Sequence, residues 1–370
     1  MRLMDRGGVL ERFGTLASCL ALAVLVGCGH SSQLAGVSAS GSRTSATPTL
    51  SATQPPATLP TSSTLTASVF GRCRLPVIVP HTRTQSDPWA GWLDVPAGTY
   101  SPDPSSNLAG APMLAWDAGV GRWVPTEPSY ISPDGLDYVV AENAGLSTAT
   151  AARVPGIEIH DARTGDIVQR ISTGQANHLV GYTQSAVYLI SSGKYPQPGL
   201  WRIDTASGRV TQVSSAKGDW QVADDTSAWG TSTTSDNIVT VKRLDLSTGV
   251  VTDVYKPADS TVIVAGFAGS GVLVTMWSPG SNRGLSVVVI NRDGSVVPVD
   301  VPAPMHYGSL SKAVQDGPAL IFSAAWSTAW PELPDTHRSG LAAYDPDHGL
   351  QLLMTNTPPD IFLLGRCMSP

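Results

Sequence analysis

Lysine occurs only five times in 370 residues, and charged side chains make up 14% of the chain, well below the roughly one quarter usual in soluble proteins. With a net charge of −6, this shortage excludes a basic nucleic-acid binder, because neutralising phosphates takes clustered Lys and Arg. Long stretches free of helix breakers are also missing. Gly (36) and Pro (29) are spread through the chain, which excludes a coiled coil or helical bundle. No apolar run reaches the roughly 20 residues of a membrane-spanning helix. Nor is there a G-x-S-x-G elbow, an H-E-x-x-H pair, a phosphate loop or a C-x-x-C, so no catalytic residue, metal or cofactor is assigned. His30 precedes the folded region, and the other six histidines (His81, His160, His178, His306, His337, His348) lack metal-ligand spacing. The length fits two domains of roughly 150 residues or one large all-β unit.

Residues 1–27 read as an export signal. Arg2, Arg6 and Arg12 precede a short apolar run from Leu16 to Val26. The run ends in Leu25-Val26-Gly27-Cys28, which resembles the bacterial lipobox. That resemblance implies lipidation of Cys28 and an extracytoplasmic chain anchored to the cell membrane, on the outer face of the plasma membrane or in a diderm envelope. From Gly29 to Phe70 there are ten Ser, eight Thr and four Pro, with Arg43 the only charged residue. So little apolar surface cannot offset the entropy of ordering, and residues 28–70 are expected to form a disordered tether.

Four cysteines remain to be placed. Cys19 lies in the signal and Cys28 in the lipobox, leaving Cys73 and Cys367 at the two ends of the folded region. In an oxidising compartment they can pair and tie those ends together. The alternative is two buried thiols packed as small hydrophobes.

One pattern recurs beyond Leu114: an apolar strand, Asp or Asn, a few residues, Gly, and another β-rich strand. The turn glycines are Gly121, Gly165, Gly208, Gly249, Gly294 and Gly349, spaced 44, 43, 41, 45 and 55 residues apart. Further short strands precede each turn, as at Tyr138–Ala141, Ala186–Ile190, Val272–Met276 and Ala319–Ser323. Four strands per 40–45 residues is the unit of a propeller blade. The expectation for residues 71–370 is therefore all-β, a six-bladed β-propeller with its first blade around Gly121. Two packed β-sandwiches are the alternative. Ile361–Leu364 has no blade of its own and is expected to close the ring on the first blade, bringing Cys73 to Cys367.

Tyr130-Ile131-Ser132-Pro133-Asp134-Gly135, followed by Tyr138-Val139-Val140, resembles the Ser-Pro-Asp-Gly repeat of TolB-like propellers. Lipobox, Ser/Thr tether and six drifted blades together are similar to TolB-like lipoproteins of high-GC bacteria. The resemblance implies a binding or scaffold module of the cell envelope whose partner is a protein or a glycan. No N-terminal α/β domain is expected, so TolB's own partners are not carried over. The rival function is a carbohydrate-binding protein, or a hydrolase- or lyase-type enzyme, using the central channel. The D-x-x-T-G turns at Asp161 and Asp204 look like those of quinoprotein propellers, but the Trp residues do not follow that period and no quinone is expected.

The gap before Gly349 is the longest. Its extra length is assigned to a loop carrying Trp326, Trp330, Glu332, Asp335 and His337, the residue types of a partner-binding surface. Packing of the two tryptophans against the ring is the alternative. Trp220 and Trp229 are read as core, Asp224-Asp225 as a solvated turn, and His160 and His348 as solvated turn residues.

Overall fold

A computed structural model describes residues 71–79, 90–108, 111, 113–142, 156–174, 176–192, 199–216, 218–257, 261–277, 284–327, 337–355, 357 and 361–368. The expected signal peptide, Cys28 and the tether lie outside the described residues.

The described chain is a six-bladed β-propeller. Blade one joins β1 (Cys73–Ile78), β2 (Gly91–Val95) and β3 (Thr99–Pro102) to the tail strand β25 (Phe362–Leu363). A two-stranded hairpin follows, β4 (Ala115–Asp117) and β5 (Arg122–Val124). Blade two holds β6 (Asp137–Glu142), β7 (Gly156–Asp161) and β8 (Ile167–Ser172), and blade three β9 (Ala176–Tyr182), β10 (Ala186–Ser192), β11 (Leu200–Asp204) and β12 (Val210–Ser214). Blade four is β13 (Asp219–Ala223), β14 (Ser227–Thr233), β15 (Val239–Asp245) and β16 (Val251–Tyr255). Blade five is β17 (Thr261–Ala268), β18 (Gly271–Trp277), β19 (Leu285–Asn291) and β20 (Val296–Val299). Blade six is β21 (Gly308–Asp316), β22 (Ala319–Ser327), β23 (His337–Asp345) and β24 (Gly349–Thr355).

Six blades were expected, but the first is built differently. Its turn is Asp94-Val95-Pro96-Ala97-Gly98, with Gly98 N–H donating to the Asp94 carbonyl at 2.8 Å. The Gly121 hairpin is a separate small sheet wedged between blades one and two. The Gly98 turn escapes a search for regular spacing because only 23 residues separate it from Gly121.

Each turn repeats one piece of chemistry. Its glycine has positive φ, +67° at Gly121 and +82° at Gly165, which side chains with a Cβ rarely adopt. In blades two, three, four and six the turn aspartate also accepts backbone N–H groups, as Asp161 does from Arg163 (2.7 Å) and Thr164 (3.1 Å). Side-chain and backbone donors around Asp245 hold its carboxyl down to about 2.

The core is a chain of apolar layers between neighbouring sheets. Val139, Ile157 and Ile171 of blade two meet Leu179, Val187 and Ile203 of blade three. Val241 and Trp229 of blade four meet Val272 and Ile290 of blade five, and the ring closes where Leu75 and Val77 meet Ile321 and Leu341. Trp220 and Trp229 are core, at 1% and 0% exposure. The innermost strands have an open edge on the channel, and side chains of adjacent segments satisfy part of it. Gln221 accepts from Val264 N–H at 2.6 Å, Gln315 donates to the Phe267 carbonyl at 3.2 Å, and Tyr130 donates to the Leu179 carbonyl at 3.0 Å.

Closure follows the expected route. Val77 pairs with Leu363 and Ile78 with Phe362, antiparallel. A disulfide joins Cys73 to Cys367 across 294 residues, with the Cα atoms 5.6 Å apart. Replacing Cys367 by Ser is expected to lower unfolding stability by about 2–5 kcal/mol, the upper figure being the chain-entropy estimate for so long a loop. Denaturant titration of Cys367→Ser beside the parent measures this; an unchanged midpoint and slope would show that strand pairing alone holds the ring.

Candidate functional site

Successive strands of each blade are antiparallel, so the ring has two distinct ends. The Asp…Gly turns occupy one. The opposite end carries the last residues of β22 and the first of β23.

At the turn end, several polar side chains join neighbouring blades. Arg292 donates to Asp224 at 2.6 Å, and Arg243 donates to the Arg292 carbonyl at 2.6 Å. Ser185 donates to Asp225 at 3.2 Å and Arg122 donates to the Arg163 carbonyl. Asp224 and Asp225 therefore sit in a turn but answer to different blades, and they do not converge. His348 lies at the surface against Asp345, at 2.8 Å. His160 departs from the solvated role expected of it. Its ring stacks on Tyr138 at 4.9 Å, Nδ1 donates to the Gly165 carbonyl at 3.0 Å, and Nε2 lies 3.2 Å from Glu158. Arg170 donates to the other Glu158 oxygen at 2.6 Å. Burial works against the Glu158 carboxylate, yet these partners together hold its pKa below the usual range.

The seam forms a second cluster. The Trp116 N–H donates to the Leu364 carbonyl at 2.8 Å, placing the hairpin against the tail. Gly135 of the Ser-Pro-Asp-Gly turn lies so close to Asp117 and Gly119 that a Cβ there would stand 2.7 Å from Asp117 Oδ1 and 2.8 Å from the Gly119 Cα. Asp117 is 1% exposed; Oδ1 accepts from Gly119 N–H at 2.8 Å, and Oδ2 has no partner among the described residues. Asp316 accepts from the Cys367 N–H at 3.1 Å. Burial raises both carboxyls above the usual range, against the bonds each accepts and the field of Arg366.

The loop end contains what remains of the predicted recognition segment. Trp330, Glu332 and Asp335 lie outside the described residues. Trp326 does not belong to a loop: it is in β22, 5% exposed, opposite Gly308 and Arg338. A Cβ on Gly340 would stand 2.8 Å from its ring, so a missing side chain makes room for the indole. Part of the extra length of blade six thus goes into three strands of nine residues each. His337 is exposed where β23 begins, opposite Ser327, whose N–H donates to the Tyr307 carbonyl at 3.1 Å. Tyr307, Ser327 and His337 form one row across the sheet, with Tyr307 52% exposed. Beside it, between blades four and five, lies a groove of about 500 Å³ lined by Tyr255, Met276, Leu285, Val299, Asp300 and His306, among others. The sequence offers little signal for this groove, because its walls come from strand ends far apart in the chain.

No family model matches the chain, and no curated protein matches it. Among solved structures it is similar to TolB from Acinetobacter baumannii, at 16% identity over 80% of this chain and 67% of that one, with a TM-score of 0.41. It is also similar to a putative TolB from Agrobacterium tumefaciens, at 12% identity over 81% of this chain and 99% of that one, TM-score 0.44. An oligogalacturonate lyase in complex with manganese matches at 16% identity over 66% and 72% of the two chains, TM-score 0.43. These likenesses are of fold.

Two predictions test the assignments. Trp326→Ala is expected to cost about 3–5 kcal/mol of stability in denaturant unfolding, as for a buried aromatic; a loop anchor would leave the midpoint unchanged. Asp316 has a raised pKa in the folded state, so its contribution to stability is full when it is protonated and is lost as pH rises through that folded value. Asp316→Asn keeps an acceptor for the Cys367 N–H and removes the charge. The variant is expected to melt above the parent at about pH 7, with the gap closing towards about pH 4. A gap independent of pH contradicts the burial argument.

Proposed function

We propose that the protein is a lipid-anchored, extracytoplasmic propeller that acts as a protein-binding scaffold of the cell envelope and recognises its partner at the loop end. The observation that carries this reading is the contrast between the two ends. Several turn-end side chains latch one blade to the next, whereas Tyr307 and His337 stand exposed in one row beside a groove of about 500 Å³. Exposed aromatics beside a concave surface are common anchors of a binding face. Trp330, Glu332 and Asp335 fall between Ser327 and His337 in the sequence, and we include them in the proposed recognition segment. The lipobox at Cys28 and the low-charge tether support an anchor with a flexible arm.

A second reading, a glycan-binding or glycan-cleaving channel, is favoured by one observation: burial keeps the carboxyls of Asp117 and Asp316 towards their protonated form, near the Arg366 guanidinium.

Photocrosslinking in intact cells separates the two. A photoreactive phenylalanine analogue at Tyr307 or His337 is expected to give a discrete protein adduct, and the same analogue at Leu136 or Val250 on the turn end none. Trp330→Ala with Asp335→Ala should reduce that adduct at least about fivefold, the loss of one good anchor, while Cys28→Ser moves the chain from the membrane to the soluble fraction. Equal adducts from both ends, or none from either, would overturn the scaffold reading.

A further inference from the structure

Asp-Gly occurs three times in the chain, at Asp134-Gly135, Asp293-Gly294 and Asp316-Gly317. With no Cβ on the second residue, its amide nitrogen can reach the aspartate Cγ and close a five-membered succinimide. Closure needs a nitrogen not held in a hydrogen bond, a protonated carboxyl that is free to turn, and room for the ring. The three sites differ in these respects. Gly135 N–H donates to the Ser132 carbonyl at 2.9 Å, and Gly294 N–H to the Asn291 carbonyl at 3.0 Å. Their aspartates are held as well. Asp134 accepts from the Ser132 hydroxyl at 2.7 Å and from Leu136 N–H at 3.1 Å. Asp293 accepts from the Ser295 N–H at 2.9 Å and from its hydroxyl at 2.7 Å. These donors hold both carboxyls below their usual range, so they stay ionised.

Asp316-Gly317 is the exception. The Gly317 N–H makes no hydrogen bond among the described residues; the Gly317 carbonyl is the group that is held, by Gln315 Nε2 at 2.8 Å. Asp316 accepts one bond, from the Cys367 N–H at 3.1 Å. Burial raises its carboxyl above the usual range, against that bond and the field of Arg366, so a larger share is protonated. Gly317 is exposed, and a Cβ there would meet nothing within 4 Å, which leaves space for both ring and water.

We propose that Asp316-Gly317 is a site of spontaneous covalent modification, where an isoaspartyl linkage forms in the folded protein and loosens the clasp of the ring. The Gly317 nitrogen attacks Asp316 Cγ and forms the N–Cγ bond. The nitrogen gives up its proton and the carboxyl its hydroxyl, and the two leave as one water. Water then adds to the Asp316 main-chain carbonyl of the imide and breaks its bond to the Gly317 nitrogen. The new carboxyl sits directly on Cα, and the main chain runs through Cγ, one methylene longer. One water leaves and one returns, with no redox partner. The carboxylate that accepted from the Cys367 N–H is thereby consumed in the peptide link.

The test is timed incubation of the full chain at neutral pH, folded and in guanidinium chloride. Proteolysis and mass spectrometry with electron-transfer fragmentation then distinguish isoaspartate from aspartate at each site. In the folded chain, isoaspartate should appear at residue 316 at least about tenfold faster than at 134 or 293, the rate equivalent of one or two hydrogen bonds that need not be broken. In guanidinium chloride the three rates should draw together. Asp316→Glu should remove the signal, since a six-membered imide closes far more slowly. The isoaspartyl fraction, isolated by chromatography with its disulfide intact, should unfold at a lower denaturant concentration than the fresh chain. Equal rates at the three sites in the folded chain, no isoaspartate at 316, or one and the same ranking folded and unfolded would each overturn the assignment. An unchanged unfolding midpoint removes the effect on the clasp. The loop-end reading is independent of this site, and neither outcome alters it.

Discussion

The structure depends on closure. A propeller blade cannot bury its faces alone; each apolar layer lies between one sheet and the next, so an open ring exposes two of them. In this chain the closing element is small, the two-residue strand Phe362–Leu363 on Cys73–Ile78. Two short pairings would be a weak clasp for so many blades. The Cys73–Cys367 disulfide supplements it, as does the hydrogen bond from Cys367 N–H to Asp316, which ties the tail back to blade six. The hairpin at Ala115–Val124 adds a third contact, through the Trp116 N–H and the Leu364 carbonyl. Covalent, strand and side-chain links thus converge on one seam.

That convergence explains why the Ser-Pro-Asp-Gly motif stands intact in a single place. In blade two its Gly135 approaches Asp117 and Gly119 so closely that no side chain fits. Ser132 donates to Asp134 at 2.7 Å and accepts from Asp137 N–H at 3.0 Å, so the turn is internally satisfied before it packs against the hairpin. The turns of blades five and six, Gly269-Ser270 and Asp316-Gly317-Pro318, have no hairpin beside them. Gly269 and Gly317 would each meet nothing within 4 Å if they carried a Cβ. There the shape of the turn is retained, and little steric demand acts on its sequence.

The fold was legible wherever a residue type does one job in every blade. Asp or Asn followed by Gly marks the outer hairpins because the acidic side chain caps the turn and the glycine takes positive φ. The apolar run Ile361–Leu364 stood out as a strand without a blade, which led to the closure and the cysteine pairing. Legibility failed where two jobs share one signature. Trp326 reads as a loop anchor because Trp, Pro and polar residues follow it. What buries it is Gly308 and Gly340 on the two flanking strands, a long-range pairing that sequence does not display. His160 looked solvated because it adjoins a turn; the stacking by Tyr138 depends on the register of β6 against β7. Asp94-Val95-Pro96-Ala97-Gly98 was a proper turn at the wrong interval.

The scarcity of lysine, first a reason to set nucleic acid aside, has a structural counterpart in the latches between blades. Arg122 and Arg243 both donate to carbonyls of a neighbouring turn, and Arg292 reaches Asp224 in the blade before it while its own carbonyl accepts from Arg243. A planar guanidinium presents several donors in fixed directions and loses little entropy per bond made, whereas an ammonium is a single hydrated point on a flexible stem. Turns packed edge to edge expose carbonyls and carboxylates at set distances, and that geometry suits arginine.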